Sequence, residues 1–225
     1  MKDNFFKFPS TPHLSLFGGI KVRGDKVMSE IERNEFLLHE LIIEEKVDGA
    51  NLGISFDQEG NVLFQNRGGY LNSPYVGQWK KLSDWLNPRR DILFELLTDK
   101  HILFGEWCYA EHSIAYDSLP DWFLGFDIFD KATAKFYSCC RRNKIFKELD
   151  ISQVPLIDQG HFTLLELKKH FSTSSLSTKL SEGLYLRFDQ NDWLAQRAKL
   201  VRPSFVQSIE QHWSRTAIKV NRLKS

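Results

Sequence analysis

The stretch Leu41-Ile42-Ile43-Glu44-Glu45-Lys46-Val47-Asp48-Gly49-Ala50-Asn51-Leu52-Gly53-Ile54-Ser55-Phe56 decides how this chain is read. Leu41–Glu45 is expected as a strand, Asp48-Gly49 as a turn, and Asn51–Phe56 as a second strand. Lys46 stands at the joint, and lysine is rarely buried without a partner. These residues leave two readings open. In one, desolvation and neighbouring cations lower the pKa of Lys46 and free its amine to attack phosphorus. In the other, Asp48-Gly49 is an ordinary turn and Lys46 a stem that keeps its charged head in water. Glu44 points opposite to its neighbour Glu45 on a strand, and no role is assigned to it.

Outward from this core, Asp57-Gln58-Glu59-Gly60 reads as a hairpin turn into a strand over Val62–Gln65, followed by Arg67-Gly68-Gly69. The first twenty residues are punctuated by Pro, Ser and Gly, with one short strand expected at Leu14–Phe17. Residues 27–39 suit a short helix or turn region. Gly77–Leu86 and Asp91–Leu97 suggest helices broken at Asn87-Pro88. Strands are expected at Ile102–Trp107, Trp122–Phe129, Glu182–Phe188 and Ala198–Val201, and helices after Ser138 and over Leu164–His170. Ser172–Ser181 is a loop or helix start, and the tail from Phe205 to Leu223 alternates apolar and basic residues at roughly helical spacing. Short strands mixed with short helices, without regular βαβ alternation, imply an α+β fold on antiparallel sheets with flanking helices. The expected organisation is one domain over residues 1–225, ending in a short basic tail at about 203–225.

The 225 residues suffice for a sizeable core. Eighteen Phe, six Trp and six Tyr read mainly as core packing, with a few available as stacking platforms. The net charge of +1 says little about nucleic acid, but the charge is unevenly spread. Residues 131–149 carry Lys131, Lys135, Arg141, Arg142, Lys144 and Lys147 against one acid, Glu148. Residues 195–225 carry seven basic side chains against Glu210. These are either phosphate-binding faces or solvated helix surfaces. Cys108, Cys139 and Cys140 form neither a disulfide framework nor a zinc spacing. The amino-terminal apolar run is too short and broken for a signal peptide, and no stretch reaches membrane-span length. A cytoplasmic setting without membrane partners is therefore expected.

Six elements then recur in order: EKVDGAN with Lys46, NRGGY with Arg67, ILFGEW with Glu106, FLGFDIFD with Phe126 and Asp127, EGLYLRF with Glu182 and Arg187, and RAKLVR with Arg197, Lys199 and Arg202. K-x-D-G alone is weak, but the ordered set resembles the covalent nucleotidyltransferase superfamily of ATP-dependent ligases and capping enzymes. Within it the chain is most similar to the ATP-dependent RNA ligase family of the phage T4 RNA ligase 2 type. The resemblance runs from about Glu44 to Arg202. It implies a ligase adenylation domain in which Lys46 becomes lysyl-AMP, with Lys199 and Glu182 as further catalytic residues.

The implied nucleotide site contains Glu45 through its backbone, Lys46, Arg67 at the ribose or 3′-OH end, Glu106 on the ribose hydroxyls, and Phe126 stacked on adenine. Arg67, Arg187, Arg197, Lys199 and Arg202 are candidates for phosphate, where arginine offers a bidentate fork and lysine a point charge. Which of the arginines at 197 and 202 accompanies Lys199 is left open. Arg187 stands where the family more often has lysine. Glu182 and Asp127 are the carboxylates expected nearest a metal, and Asp127 has the alternative role of anchoring a neighbouring cation. His112 either touches substrate or orders its loop. The implied cofactors are ATP and Mg2+, with Mn2+ as an alternative. The implied partners are RNA bearing 5′-phosphate and 3′-OH ends, duplex or nicked, and an accessory protein. Residues 203–225 leave no room for a carboxy-terminal OB-fold, which argues against a DNA ligase or capping enzyme built with one. The alternatives are a DNA nick-sealing ligase or other polynucleotide adenylyltransferase, and a non-catalytic nucleic-acid-binding domain.

Overall fold

The computed structural model describes residues 5–17, 26–205 and 218–224. In order the elements are α1 (Glu30–Leu37), β1 (Leu41–Lys46), β2 (Ala50–Phe56), β3 (Val62–Gln65), α2 (Leu82–Leu86), α3 (Arg90–Leu97), β4 (His101–Trp107), β5 (Phe123–Asp130), β6 (Lys135–Phe136), α4 (Cys139–Glu148), β7 (Leu156–Gly160), α5 (Leu164–Lys169), β8 (Gly183–Gln190) and β9 (Trp193–Val201). The strands form two antiparallel sheets, one ordered β7-β1-β8-β9 and the other β3-β2-β4-β5-β6. The fold is α+β, as the mixed pattern implies. No helix among the described residues is long and apolar enough to cross a membrane.

Strand alternation assigns each sheet two unlike faces. On the first sheet Leu41, Ile43, Leu184, Leu186, Ala198 and Leu200 pack with Phe36 of α1 and Leu167 of α5. On the second, Leu52, Ile54, Phe56, Leu103 and Trp107 pack with Leu82, Trp85 and Leu93 of α2 and α3. Three helices, α1, α4 and α5, start on local signals. Ser29 and Thr163 each close a capping box, with Glu32 and Glu166, and Ser138 caps α4 on the amide of Arg141.

The opposite faces look into a cleft between the sheets and are polar. They carry Lys46, Tyr185, Arg187, Arg197 and Lys199 from one side and Asn51, Glu106 and Asp127 from the other. Buried charge pairs join them. Arg187 and Asp127, both fully buried, are paired, and Arg197 approaches the other oxygen of Asp127 at 3.3 Å. Arg142 of α4 pairs with Glu44 of β1 at 2.5 Å. Glu44, to which no role was assigned, is therefore the counter-charge that admits an arginine into the interior.

A β-bulge sets the aim of β5. Phe104 pairs with Asp127 but Gly105 pairs with Gly125, so Phe126 is the extra residue. Strict alternation from Phe123 would place Asp127 on the helix-covered face. The bulge instead turns Phe126 and Asp127 both toward the cleft. The Phe126 carbonyl accepts from Arg142 and, at 3.4 Å, from Arg187.

Several sequence expectations are corrected. Leu14–Phe17 is not a strand; only His13 bridges, to Lys199 and Val27. Gly77–Leu86 is a 3-10 turn (Gly77–Trp79) followed by the short α2. β6 and β7 were not anticipated, because both are short edge strands and β7 lacks an apolar stripe. The tail expected at helical spacing lies largely on residues 206–217, outside the described residues, while residues 218–224 run extended along the loop at 109–119.

Removing one member of a buried charge pair strands the others without solvent, at a cost of about 3–5 kcal/mol. Asp127→Ala, which takes from Arg187 its nearest carboxylate, leaving Asp189 at 3.6 Å, and from Arg197 the carboxylate it approaches, is expected to lower the unfolding free energy by about that amount in urea titrations.

Candidate active site

The joint between β1 and β2 explains its own sequence. The Asp48 carboxylate accepts the amides of Ser113 and Ile114 at 2.7 and 2.8 Å, and the Asp48 amide donates to the Tyr116 hydroxyl at 2.8 Å. Gly49 passes so close to β4 that an added Cβ would lie 2.8 Å from the Trp107 carbonyl and 3.0 Å from Glu106 Cγ. Its amide donates to Glu106 Oε1 at 3.1 Å. The aspartate anchors the turn, the glycine permits the approach, and Lys46 is delivered to the cleft. Gly183, opposite Lys46 in the ladder, is required for the same reason: a Cβ there would meet the Leu200 carbonyl at 2.2 Å.

Lys46 Nζ lies 2.6 Å from Glu182 Oε1. Burial pulls the lysine pKa down, but the charges of Glu182, Glu106 and Asp48 outweigh it, so the group sits above its ordinary range. This corrects the expected downward shift: Arg67 and Lys199 line the same cavity, but the acids around Lys46 outweigh burial and favour its ammonium form. Burial raises the Glu182 carboxyl, against the opposing charge of Lys46. Burial also pushes Glu106 up to about 7, despite Lys46 and Arg67 nearby.

Two cavities meet at Lys46. The inner one, of about 240 Å3, has Phe126, Val47 and Val154 as apolar lining with Glu45, Tyr185 and Lys199. The outer one, of about 620 Å3, is lined by Asn66, Gln78, Trp79, His112 and Phe205 among others. Lys46, Asn51, Arg67, Glu106 and Glu182 line both. The structure thus gathers Glu45, Lys46, Arg67, Glu106, Phe126, Glu182 and Lys199 into one site. The Glu45 side chain is engaged away from Lys46, accepting from Ser174 at 2.5 Å and from the Ser175 amide at 3.2 Å.

Four candidates lie elsewhere. Arg187 is fully buried against Asp127 and the Tyr137 carbonyl, so it is corrected from a phosphate contact to an internal brace. Asp127 is corrected from a metal position, because two arginines already hold its carboxylate. Arg197 lies over the rings of Phe8 and Phe136, each at 4.6 Å. Arg202 donates to the carbonyls of Ser181 and Leu180 and to the Ser204 hydroxyl. Of the basic residues on β9 and just beyond it, Lys199 is the one lining a cavity.

Sequence reading missed Phe8, Ser10 and Thr11, which reach the inner cavity from an irregular segment without periodicity. Alternation from Glu106 could have flagged Asn51, its ladder partner on β2. His112 hydrogen-bonds to Gln78 at 2.9 Å across the outer cavity wall. Among the described residues no group of three or more His, Cys, Asp or Glu is arranged to hold a metal. Glu182 at the cavity fits a divalent cation that arrives with phosphates, since Mg2+ commonly takes one or two carboxylates plus substrate oxygens and water.

The family model for RNA ligases matches residues 39–201. No curated protein matches the chain. Among solved structures, a variant of Naegleria gruberi RNA ligase with ATP and Mn is 16% identical, with a TM-score of 0.62 over 80% of this chain and 54% of that one. A second variant, with AMP and Mn, is 17% identical, with a TM-score of 0.63 over the same shares of the two chains. The same ligase with PPi is 17% identical, with a TM-score of 0.58 over 80% of this chain and 56% of that one. At such identities the likeness is one of fold, and the chain spans about half the length of these structures.

Glu106 holds its proton more tightly folded than unfolded between its ordinary 4.5 and about 7. Folding takes up a proton in that window, so stability falls as pH rises through it. Glu106→Gln is expected to flatten that fall, measured by urea titrations at stepped pH; an unchanged slope would assign it to another group.

Proposed function

From the premise that the chain belongs to the RNA ligase family, we propose that it is an ATP-dependent RNA ligase that works through lysyl-AMP at Lys46. The observation that carries this reading is the convergence of Lys46, Glu182, Glu106, Arg67 and Lys199 beside a small cavity walled by Phe126. Adenine stacks on Phe126, with Val47 and Val154 filling the rest of that wall. Glu45 presents its backbone at the base edge. Ribose hydroxyls donate to Glu106, and Arg67 stands at the outer end of the ribose. Lys199 meets the α-phosphate as a point charge, stabilising the negative charge that grows in the transition state.

Before attack, the Lys46 ammonium must lose a proton, and Glu182 Oε1 lies within reach of it. The amine then attacks the α-phosphorus, the bond to pyrophosphate breaks, and a phosphoramidate forms. Mg2+, or Mn2+, entering with the triphosphate would draw charge from the phosphates. The AMP next passes to the 5′-phosphate of an RNA strand. A neighbouring 3′-OH attacks the activated phosphate, closing the phosphodiester and releasing AMP. The outer cavity faces the same Lys46 and leaves space for the strand end. Exposed Lys219, Arg222 and Lys224 suit the RNA backbone, which is bound mainly by charge.

Incubation with α-labelled ATP and Mg2+, followed by a denaturing gel, is expected to label the wild-type protein but not Lys46→Ala. A wild type that takes no label would sink this reading. Phe126→Ala should raise the ATP concentration for half-maximal labelling roughly tenfold, the scale of one lost base stack. Offered nicked duplexes, the enzyme should seal an RNA 3′-OH strand faster than an all-DNA nick; equal rates would favour the DNA-sealing alternative.

A further inference from the structure

The segment at residues 218–224 carries an interaction that the chemistry above does not use. Five backbone hydrogen bonds fasten it to the loop at 109–119: Glu111 to Lys219, Asn221 to Tyr109, Arg222 to Tyr116, Leu119 to Arg222, and Lys224 to Leu119, each written from amide to carbonyl. This strap is not held by greasy burial, since Ile218, Val220 and Leu223 are 51%, 43% and 41% exposed. Its buried member is polar. Asn221 is 4% exposed, accepts the Tyr116 amide at 2.8 Å, and donates to the carbonyls of Cys108 at 2.8 Å and Ala110 at 3.1 Å.

The loop so gripped is the one that holds the Lys46 turn. The Asn221 carboxamide fixes the Tyr116 backbone, and the Tyr116 hydroxyl accepts the Asp48 amide. Ser113 and Ile114 in the same loop donate to the Asp48 carboxylate. Asp48 stands two residues after Lys46, whose amine must lie in line with a leaving pyrophosphate. A satisfied buried polar network has one geometry and is stiff.

We propose that Asn221 is a positioning residue for Lys46, acting through Tyr116 and Asp48, and that the strap is part of the adenylylation machinery. The proposal rests on the ligase reading for its kinetic consequence but not for its structural one. In Asn221→Ala the loop loses three hydrogen bonds, and Lys46 reaches the α-phosphorus in a poorer alignment. A misplacement near 1 Å can cost a hundredfold in rate, and a partial one roughly tenfold.

The test is single-turnover labelling of the full chain with α-labelled ATP, reading rate constant and amplitude separately. Asn221→Ala should lower the rate constant at saturating ATP roughly tenfold, with amplitude near wild type and half-saturation little changed. Lowered amplitude with an unchanged rate constant would mean that Asn221 serves folding alone, and would overturn the proposal. Tyr116→Phe keeps the strap's backbone bonds but removes the hydroxyl under Asp48, and covers the case in which Asn221→Ala does not fold. It should slow the same step, and an unchanged rate would count against the relay. If both variants fold, the double variant should be slowed by less than the product of the two effects. Hydrogen exchange gives an ATP-independent readout. The Asp48 and Ile114 amides should exchange faster in Asn221→Ala while β2 and β4 interiors do not; unchanged exchange would overturn the relay. A wild type that takes no label defeats the ligase reading, and exchange still decides the relay.

Discussion

The charge cluster around the bulge of β5 is the constraint on which the site depends. Asp127, Glu44 and Asp189 are set against Arg142, Arg187 and Arg197 between the two sheets, where water does not compensate an unmatched charge. Arg187 donates both to Asp127 and to the Phe126 carbonyl, and Arg142 donates to that carbonyl as well. The arginines therefore fix the bulge, and the bulge aims the Phe126 ring into the inner cavity. Residues that never line that cavity decide the shape of its aromatic wall.

A second set of polar contacts governs Lys46. Asp48 ties the turn after Lys46 to the loop at 113–116, and Gly49 lets that turn lie against β4. Lys46 is thereby set among Glu182, Glu106 and Asp48, and rests charged.

The apolar faces and the polar cleft divide the labour. Helices α1, α5, α2 and α3 cover the outer faces with Leu, Ile, Phe and Trp, and stability comes chiefly from there. That burial leaves the inner faces free to carry unlike charges at short range. Glu106 shows the local cost: burial pushes it up to about 7 because its partners Lys46 and Arg67 do not fully offset lost hydration.

The amino-acid sequence by itself determined the α+β class, most of the strands, the capped helices and the ordered set holding Lys46, Arg67, Glu106, Phe126, Glu182 and Lys199. These were legible because alternation, caps and turn chemistry are local properties. Tertiary structure alone decided which basic residues meet the cavity. Arg187, Arg197 and Lys199 share one face by alternation, yet only Lys199 lines the cavity, because Asp127 claims both arginines. That claim depends on a one-residue bulge, and a bulge reverses which face each later side chain meets. The partners of Glu44 and Asn221 were likewise hidden, since they lie far along the chain and only folding brings them together.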